Sequence, residues 1–122
     1  LTFFTDAGFG LHLLGHWVRE RGAMSLPEAV RRLTSQSALL FGMPQRGLLR
    51  EGYAADLLLF DPATVGRGPK RRVFDLPGGA PRLTTDALGV HGVWVNGAQV
   101  ADGAGLVDDA PLVGELMTHF GG

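Results

Sequence analysis

The spacing of apolar residues predicts an amphipathic helix near the start of the chain. We expect this helix to begin near Asp6, a residue type that caps helix N-termini, and to end before Gly22. Two neighbouring rows of the helix are apolar at helical spacing, namely Leu11, Leu14 and Val18 in one row and Phe9, Leu13 and Trp17 in the other. Because the apolar face is this broad, we expect it to be buried against a large surface.

A second helix is predicted to begin at the sequence Ser25-Leu26-Pro27-Glu28, which matches a capping box. In this motif the Ser25 hydroxyl oxygen accepts a hydrogen bond from the Glu28 amide, and the Glu28 carboxylate reaches back to the start of the helix. The expected buried stripe consists of Ala29, Val30 and Leu33, and the residues expected to face water are Arg31 and Arg32.

A short third helix is predicted over residues 36–41, directly after Ser35. It should end at Gly42, because glycine readily takes the left-handed conformation that closes a helix, and Pro44 prevents the helix from continuing. Residues 1–45 are therefore interpreted as a helical segment.

The rest of the chain, residues 46–122, is interpreted as a β-rich segment. The apolar run at residues 56–61 predicts a strand that is covered on both faces. Residues 62–72 are rich in glycine, proline and basic residues, so they are predicted to form a loop.

A β-hairpin is predicted over residues 93–100. Its centre is Asn96-Gly97, which provides both positive-φ positions of a type I′ turn between two runs of strand-forming residues. The tail over residues 111–120 fits either a short helix or an irregular strap.

Composition narrows the class of protein. The chain has 122 residues, of which 45% are hydrophobic and 19% charged, as in folded domains. The net charge of −1 shows no excess of basic residues, so we do not expect the chain to bind nucleic acid. The apolar runs are too short to cross a bilayer, so we do not expect a membrane partner. The absence of cysteine excludes a disulfide framework and fits the cytosol, so we expect a cytoplasmic protein, although the compartment stays open. The chain starts without methionine or a basic leader, which suggests a piece of a longer product.

Two histidines offer the first candidate chemistry. His12 and His16 lie four residues apart on the predicted first helix and could chelate one metal ion. A third ligand would have to come from His91, His119 or a distant carboxylate. The simpler alternative is that one histidine packs beside Trp17 and the other faces solvent.

Asp6 could serve as a metal ligand or a proton carrier, but helix capping explains it more simply. Asp56 and Asp61 flank the predicted strand. Two residues that are five positions apart on a strand point to opposite faces and lie about 16 Å apart, which is too far for a catalytic pair of carboxylates. We interpret Asp61, which precedes Pro62, as a turn residue.

Two further motifs carry little weight. Gly66-Arg67-Gly68 is a lone Gly-x-Gly without the strand-to-helix setting of a phosphate site, and residues 70–72, Lys-Arg-Arg, are interpreted as a solvated face. From spacing alone, the chain contains no complete active site. We therefore expect no catalytic, cofactor-binding or metal-binding residue in it.

Longer strings of the sequence resemble a known family. DAGFGLHLLGHWVRERGAMSLPEAVRRLTSQSALLFG at residues 6–42, followed by RGLLREGYAADLLLFDP at residues 46–62, resembles the C-terminal part of the amidohydrolase superfamily. FDLPGGAPRL at residues 74–83 and GVWVNGAQV at residues 92–100 resemble the N-acyl-D-amino-acid deacylase (D-aminoacylase) branch.

The resemblance implies an α+β segment of a larger enzyme. Residues 1–45 would be the last helices of a (β/α)₈ barrel, and residues 46–122 the C-terminal share of a small composite β-sandwich. The parent would be a zinc-dependent hydrolase that cleaves the amide bond of N-acyl-D-amino acids. The family's His-x-His and Ser-Asp-x-Gly-Ala-His motifs are absent here, so no zinc ligand is expected in this segment. Asp6 matches a second aspartate of the family pattern and not the catalytic one, and the His16-Trp17 pair matches a packing position.

The resemblance therefore implies that this segment is a scaffold and is inactive alone. Its partner would be the remainder of the parent chain, and the parent's substrate would be an N-acyl amino acid. Two alternatives stay open. The chain could be a free-standing α+β binding or interaction module, acting through a sandwich edge or residues 62–72, or a segment of a dihydroorotase-like enzyme acting on cyclic amides. Exposed apolar helix faces would also favour homo-oligomers.

Overall fold

A computed structural model of the chain describes residues 8–121 and has an α+β architecture, as predicted. Asp6, with its predicted cap, lies outside the described residues. The helices are α1 (Phe9–His12), its continuation π1 (Leu13–Glu20), α2 (Leu26–Leu33) and α3 (Ser35–Leu40), and a 3-10 turn covers Pro77–Gly79. The strands are β1 (Leu57–Phe60), β2 (Gly66–Arg67), β3 (Arg71–Val73), β4 (Arg82–Thr84), β5 (Ala87–Leu88), β6 (Val90–Val95) and β7 (Ala98–Asp102).

The first helix ends where the sequence predicts but is wound differently from the expected α-helix. From Leu13 onward it is a π-helix, and at its end the Arg21 amide donates to the His16 carbonyl oxygen, five residues back, at 2.9 Å. Gly22 closes the helix with a φ of 59°. The apolar spacing over eight residues indicates a helix but does not report whether its hydrogen bonds span four or five residues, and π-helices are rare, so the sequence predicted an ordinary α-helix.

The predicted start of α2 is confirmed, and two of its details are wrong. The Ser25 hydroxyl accepts a hydrogen bond from the Glu28 amide at 3.4 Å. The Glu28 carboxylate does not reach back, because it accepts hydrogen bonds from Arg31 and Arg32 instead. Val30, expected in the buried stripe, is exposed, because the core of the chain meets only the Ala29 side of this helix.

The third helix begins at Ser35, one residue earlier than predicted, and stops at Leu40. Phe41 is its C-terminal cap, and Gly42 follows with a φ of 62°. The left-handed glycine that was predicted to end the helical segment is thus confirmed.

The larger sheet is antiparallel with strand order β1-β6-β7. The strand predicted at residues 56–61 is confirmed as β1. The prediction that both of its faces are covered is wrong. Leu58 and Leu59 are 47% and 54% exposed. The reason is that β1 is an edge strand, with only β6 hydrogen-bonded beside it among the described residues.

The predicted hairpin is confirmed as β6–β7. Asn96 and Gly97 have φ values of 46° and 85°, which is the type I′ pattern. The Gly97 amide donates to the Ala55 carbonyl oxygen at 2.9 Å, and the Asn96 side-chain amide donates to the Val113 carbonyl oxygen at 2.6 Å. The turn is therefore held on both sides by other parts of the chain.

The segment predicted as a loop, residues 62–72, contains two short strands. β2 pairs with β5, and β3 pairs with β4, each as a two-stranded antiparallel ladder. The loop prediction is wrong there because two- or three-residue strands depend on distant partners and have no periodicity of their own. The tail at residues 111–120 has neither helix nor strand, so of the two predicted forms the irregular strap is the one observed.

The core sits between π1, α2 and the turn that precedes β2. Leu14, Ala29 and Val65 are buried together there, with Leu33 and Phe60 packed around them. The two predicted apolar rows of the first helix therefore differ in burial. The row of Leu14 faces this core, whereas the other row leaves Phe9 and Trp17 at 64% and 44% exposure. Within residues 8–121, no helix has the length and hydropathy needed to cross a membrane.

Candidate functional site

A cleft of about 400 Å³ lies between the first helix and the segment that carries β2. The helix contributes one row of polar side chains, and the β-rich segment contributes the loop around β2. Among the described residues, the polar side chains that line the cleft are His12, His16, Arg19, Glu20, Thr64, Arg67 and Lys70. Residues about fifty positions apart in the sequence thus meet at one place.

The two candidate histidines are stacked on each other. Their ring centroids are 4.9 Å apart and their planes differ by 5°. The Nδ1 atom of His16 lies 2.8 Å from a Glu20 carboxylate oxygen, and the His16 ring meets Trp17 edge-on at 5.2 Å. His16 is therefore the histidine that packs beside Trp17, as the simpler alternative had it. His12 was expected there to face solvent, but it is only partly exposed and stacks on His16.

A metal site does not fit this arrangement. Neither His91 nor His119 lines the cleft, and residues 8–121 contain no group of three His, Asp or Glu side chains placed to hold a metal ion. Partial burial lowers the pKa of His12 below its ordinary value, and the positive charge of Arg67 lowers that pKa further. The same positive surroundings would oppose a divalent cation.

Arg19 connects the helix to the β-rich segment. Its guanidinium donates a hydrogen bond to the Val65 carbonyl oxygen, and Nη2 lies 3.9 Å from a Glu20 carboxylate oxygen. The hydrogen bond from His16 holds the pKa of the Glu20 carboxyl below its ordinary value. Gly15 allows the close approach, because a Cβ there would lie 2.8 Å from the Val65 carbonyl oxygen. Sequence reasoning missed Gly15, since its partner lies fifty residues away.

The Gly-x-Gly motif does not form a backbone cradle. Gly66 pairs with Leu88 in the β2–β5 ladder, and the Gly68 amide donates to the Asp86 carbonyl oxygen at 2.9 Å. The basic run beyond it is divided by the fold. Lys70 lines the cleft, whereas Arg71 forms a 2.6 Å ion pair with Asp86 outside it.

Asp56 and Asp61 both hold local structure. The Asp61 carboxylate accepts from the Ala63 amide at 2.8 Å and from the Thr64 hydroxyl at 2.9 Å, as expected for a turn residue. The Asp56 carboxylate accepts from the Asn96 amide at 2.9 Å and from Arg46. Partial burial acts to raise the pKa of Asp56, but these two hydrogen bonds outweigh it and the pKa lies below its ordinary value.

Comparison with known proteins decides the family. The model of the amidohydrolase family matches residues 2–101, which is most of the chain. The chain belongs to the amidohydrolase family. The resemblance seen in residues 6–42 and 46–62 is thereby confirmed.

Individual amidohydrolases resemble the chain over most of its length. N-acyl-D-aspartate deacylase of Alcaligenes xylosoxydans xylosoxydans is 42% identical over 92 residues, which are 75% of this chain and 17% of that protein. A D-aminoacylase structure, solved to define the role of its binuclear metal center, is 37% identical with a TM-score of 0.68. The match covers 84% of this chain and 20% of the D-aminoacylase chain. N-acyl-D-glutamate deacylase from Bordetella bronchiseptica, solved in complex with zinc and a phosphonate inhibitor, is 39% identical with a TM-score of 0.59. The match covers 79% of this chain and 19% of the deacylase chain.

These matches confirm the resemblance to the N-acyl-D-amino-acid deacylase branch. The chain spans about a fifth of the length of the amidohydrolases it matches.

Proposed function

We propose that this chain is the C-terminal segment of a metal-dependent amidohydrolase that cleaves the amide bond of N-acyl-D-amino acids, and that it acts there as scaffold. The reaction would add water across the C–N bond and release a carboxylate and a free D-amino acid. The observation that carries the proposal is the likeness to three deacylases that are each about five times longer.

Exposed apolar side chains support the scaffold role. Leu58 and Leu59 lie in the edge strand β1 and are about half exposed, and Phe9 and Trp17 are exposed on the first helix. Large apolar side chains grouped on a surface usually contact another protein surface. We infer that the missing part of the parent covers them. Residues 1–45 would then end the barrel, and residues 46–122 would complete the composite sandwich.

The zinc of the proposed parent would be held outside this segment. His12 and His16 do not fit a zinc site, because His16 is bonded to Glu20 and the neighbouring Arg67 and Lys70 are positive. When bound, zinc would supply a polarised carbonyl and an activated water in the parent. The residues described in this chain would take no part in that chemistry. We also propose a cytoplasmic location for the parent, which the lack of cysteine in this segment fits.

The test compares the 122-residue chain with the longer protein that contains it. Both are assayed for release of free D-amino acid from N-acetylated D-aspartate, D-glutamate and D-methionine, with the L-enantiomers and a cyclic amide as controls. Zinc content is measured on the same samples. We expect turnover and bound zinc only in the longer protein, and only with the D-enantiomers.

A variant separates scaffold from chemistry. In the longer protein, Leu59→Lys should lower the melting temperature and the yield of active enzyme while leaving KM unchanged, since a scaffold residue makes no contact with the substrate. Leu59→Met, which keeps an apolar side chain of similar volume, is the matched control and should change neither. Turnover by the short chain, stoichiometric zinc in it, or hydrolysis of the cyclic amide alone would contradict the proposal.

A further inference from the structure

A β-hairpin arm at residues 71–84 ends in an exposed apolar tip. The two sides of the arm are β3 and β4, which pair over three residues, and the tip is formed by residues 74–81. All eight tip residues are exposed, including two large apolar side chains, Phe74 at 66% and Leu76 at 43% exposure. The tip consists of the first eight residues of the string FDLPGGAPRL, which carries part of the resemblance to the deacylase branch.

The tip is ordered by contacts of its own. Both oxygens of the Asp75 carboxylate accept hydrogen bonds from the Arg82 guanidinium, each at 2.6 Å, which is the bidentate geometry of a strong pair. In the 3-10 turn, the Gly79 amide donates to the Leu76 carbonyl oxygen at 3.0 Å. The two glycines of this turn have φ values of 72° and 70°, which glycine adopts without strain. A fixed backbone therefore presents the apolar side chains, so little conformational entropy is lost when they are buried.

The arm stands apart from the other elements. Within residues 8–121, β3 and β4 have extensive contacts only with each other. The base of the arm is held beside the β2–β5 ladder, because the Thr85 hydroxyl donates to the Gly68 carbonyl oxygen at 2.6 Å and the Gly68 amide donates to the Asp86 carbonyl oxygen at 2.9 Å. The arm is thus anchored at its base while its apolar end is exposed.

The charges at the tip neutralise each other. Asp75 is the one charged residue in the tip sequence, and its ion-pair partner Arg82 carries the opposite charge. Nucleic acids and anionic membrane surfaces attract uncompensated positive charge, which this pair does not offer. Because the groups around this pair are apolar, the tip fits an apolar and uncharged partner surface.

The size of the tip indicates a partner in the same polypeptide. A stable complex between separate proteins buries about 800 Å² and about 20–30 residues on each side, so by the same proportion eight residues bury only about 300 Å². A contact of this size is sufficient between tethered surfaces, because the tether provides a high effective concentration. The amidohydrolases that the chain matches are about five times as long, so the proposed parent has a large tethered surface to offer.

We propose that the arm is an intramolecular docking element, and that its tip inserts Phe74 and Leu76 into an apolar recess on the part of the parent outside this chain. This rests on the proposed function, because it requires the chain to be a segment of a longer protein. It does not depend on which reaction that protein catalyses. Docking of the arm adds a third attachment to those proposed for β1 and the first helix.

The experiment compares the melting temperature of Phe74→Ser in two settings, the 122-residue chain and the longer protein that contains it. In the 122-residue chain Phe74 is mostly exposed, so the change should be at most about 1 °C. In the longer protein the substitution removes a buried aromatic side chain, so the melting temperature should fall by about 2 °C or more. Phe74→Leu keeps an apolar side chain, is the matched control, and should retain most of the stability in both settings.

Hydrogen exchange provides a second measurement. The backbone amides of residues 78–80 should exchange at least about tenfold more slowly in the longer protein than in the 122-residue chain, because docking covers them. Arg82→Lys keeps the positive charge but loses the bidentate geometry. It should therefore speed exchange at the tip of the 122-residue chain and lower the melting temperature of the longer protein, although by less than Phe74→Ser does.

Three outcomes would overturn the proposal. An equal effect of Phe74→Ser in both settings would assign the side chain a packing role within the segment, and no effect in either would show that the tip does not dock. Weaker self-association of the 122-residue chain in sedimentation velocity, with no change in the longer protein, would identify a second copy as the occupant.

Docking and the proposed function are tested separately. A longer protein that shows the docking signature without hydrolysing N-acyl-D-amino acids would support the arm and contradict the proposed function. A longer protein that hydrolyses these substrates but shows no docking signature would support the proposed function and overturn the docking of the arm.

Discussion

Gly15 stands where the first helix crosses the backbone that leads into β2. A Cβ at this position would lie 2.8 Å from the Val65 carbonyl oxygen and 3.0 Å from the Gly66 Cα. Both neighbours are backbone atoms, which cannot turn away as a flexible side chain would. The absence of a side chain at Gly15 therefore sets how closely the helical and β-rich parts approach.

We predict that Gly15→Ala destabilises the chain by about 1–3 kcal/mol, because the added methyl group forces the helix and the β2 segment apart. Gly10→Ala is the matched control. Its Cβ would lie 3.7 Å from Leu33, an ordinary contact, and alanine favours a helix over glycine by about 1 kcal/mol. Urea denaturation followed by circular dichroism measures both. Equal effects of the two substitutions would show that the crossing is not tight.

Asp56 illustrates what could be anticipated at the scale of single residues. The sequence predicted that Asp56 and Asp61 form no catalytic pair, and in the structure each carboxylate accepts a hydrogen bond from a backbone amide. The Asp61 carboxylate binds Ala63 and Thr64, which lie within the next three residues, so its turn role could be predicted from Asp-Pro alone. Asp56 acts on Asn96, forty residues away, and no local pattern encodes that partner.

At the scale of elements, α2 has a charge arrangement that depends on pH. The Glu28 carboxylate lies between two arginines, and hydrogen bonds from Arg31, then Arg32, lower the pKa of Glu28 from 4.5 to about 2. Since this pKa is depressed in the folded state, the ionised carboxylate stabilises the fold above about pH 4.5. That contribution is lost as the pH falls from 4.5 toward 2.

We therefore predict that Glu28→Gln reduces the dependence of the melting temperature on pH between 2 and 5. At pH 2 the variant and the wild type should differ little, and at pH 6 the variant should melt earlier. Thermal scans at half-unit pH steps provide the measurement. Glu51→Gln, at an exposed turn, serves as the control and should follow the wild-type profile. A Glu28→Gln profile parallel to that of the wild type would contradict the argument.

Elements with a local chemical signal were predictable, and elements that depend on distant partners were not. Ser25 and the Asn96-Gly97 pair act within three residues of themselves, and the structure places a helix start and a hairpin turn there. β2 and β5 are two residues long each and exist only as each other's partner. The cleft follows from that pairing, so the sequence could not predict it.

For the whole molecule, the balance between buried and exposed apolar surface stands out. Three side chains form the main buried cluster, whereas Leu39 and Leu40 at the end of α3 are 83% and 78% exposed. Leu14 of the first helix is not part of the exposed surface, because it packs into the chain's own core. The apolar surface available for association is instead formed by residues such as Trp17, Leu39 and Leu40.

We predict that the isolated 122-residue chain self-associates at high concentration, because these apolar side chains then exclude water by contacting a second copy. Sedimentation velocity at increasing concentration measures the association. The double substitution Leu39→Gln with Leu40→Gln should weaken it at least several-fold, and Leu112→Gln, on the exposed tail, should not. A strict monomer at high concentration would disprove the prediction.

The type I′ turn also determines how the protein ages chemically. An Asn-Gly pair is prone to deamidation, in which the glycine nitrogen attacks the asparagine side chain. Here the Gly97 nitrogen donates to Ala55 and the Asn96 side chain donates to Val113, so both reacting groups are restrained while the chain is folded. Unfolding releases them together. Conversion of Asn96 to aspartate, which cannot donate to Val113, would then leave a lasting record of each unfolding event and hinder refolding of the tail.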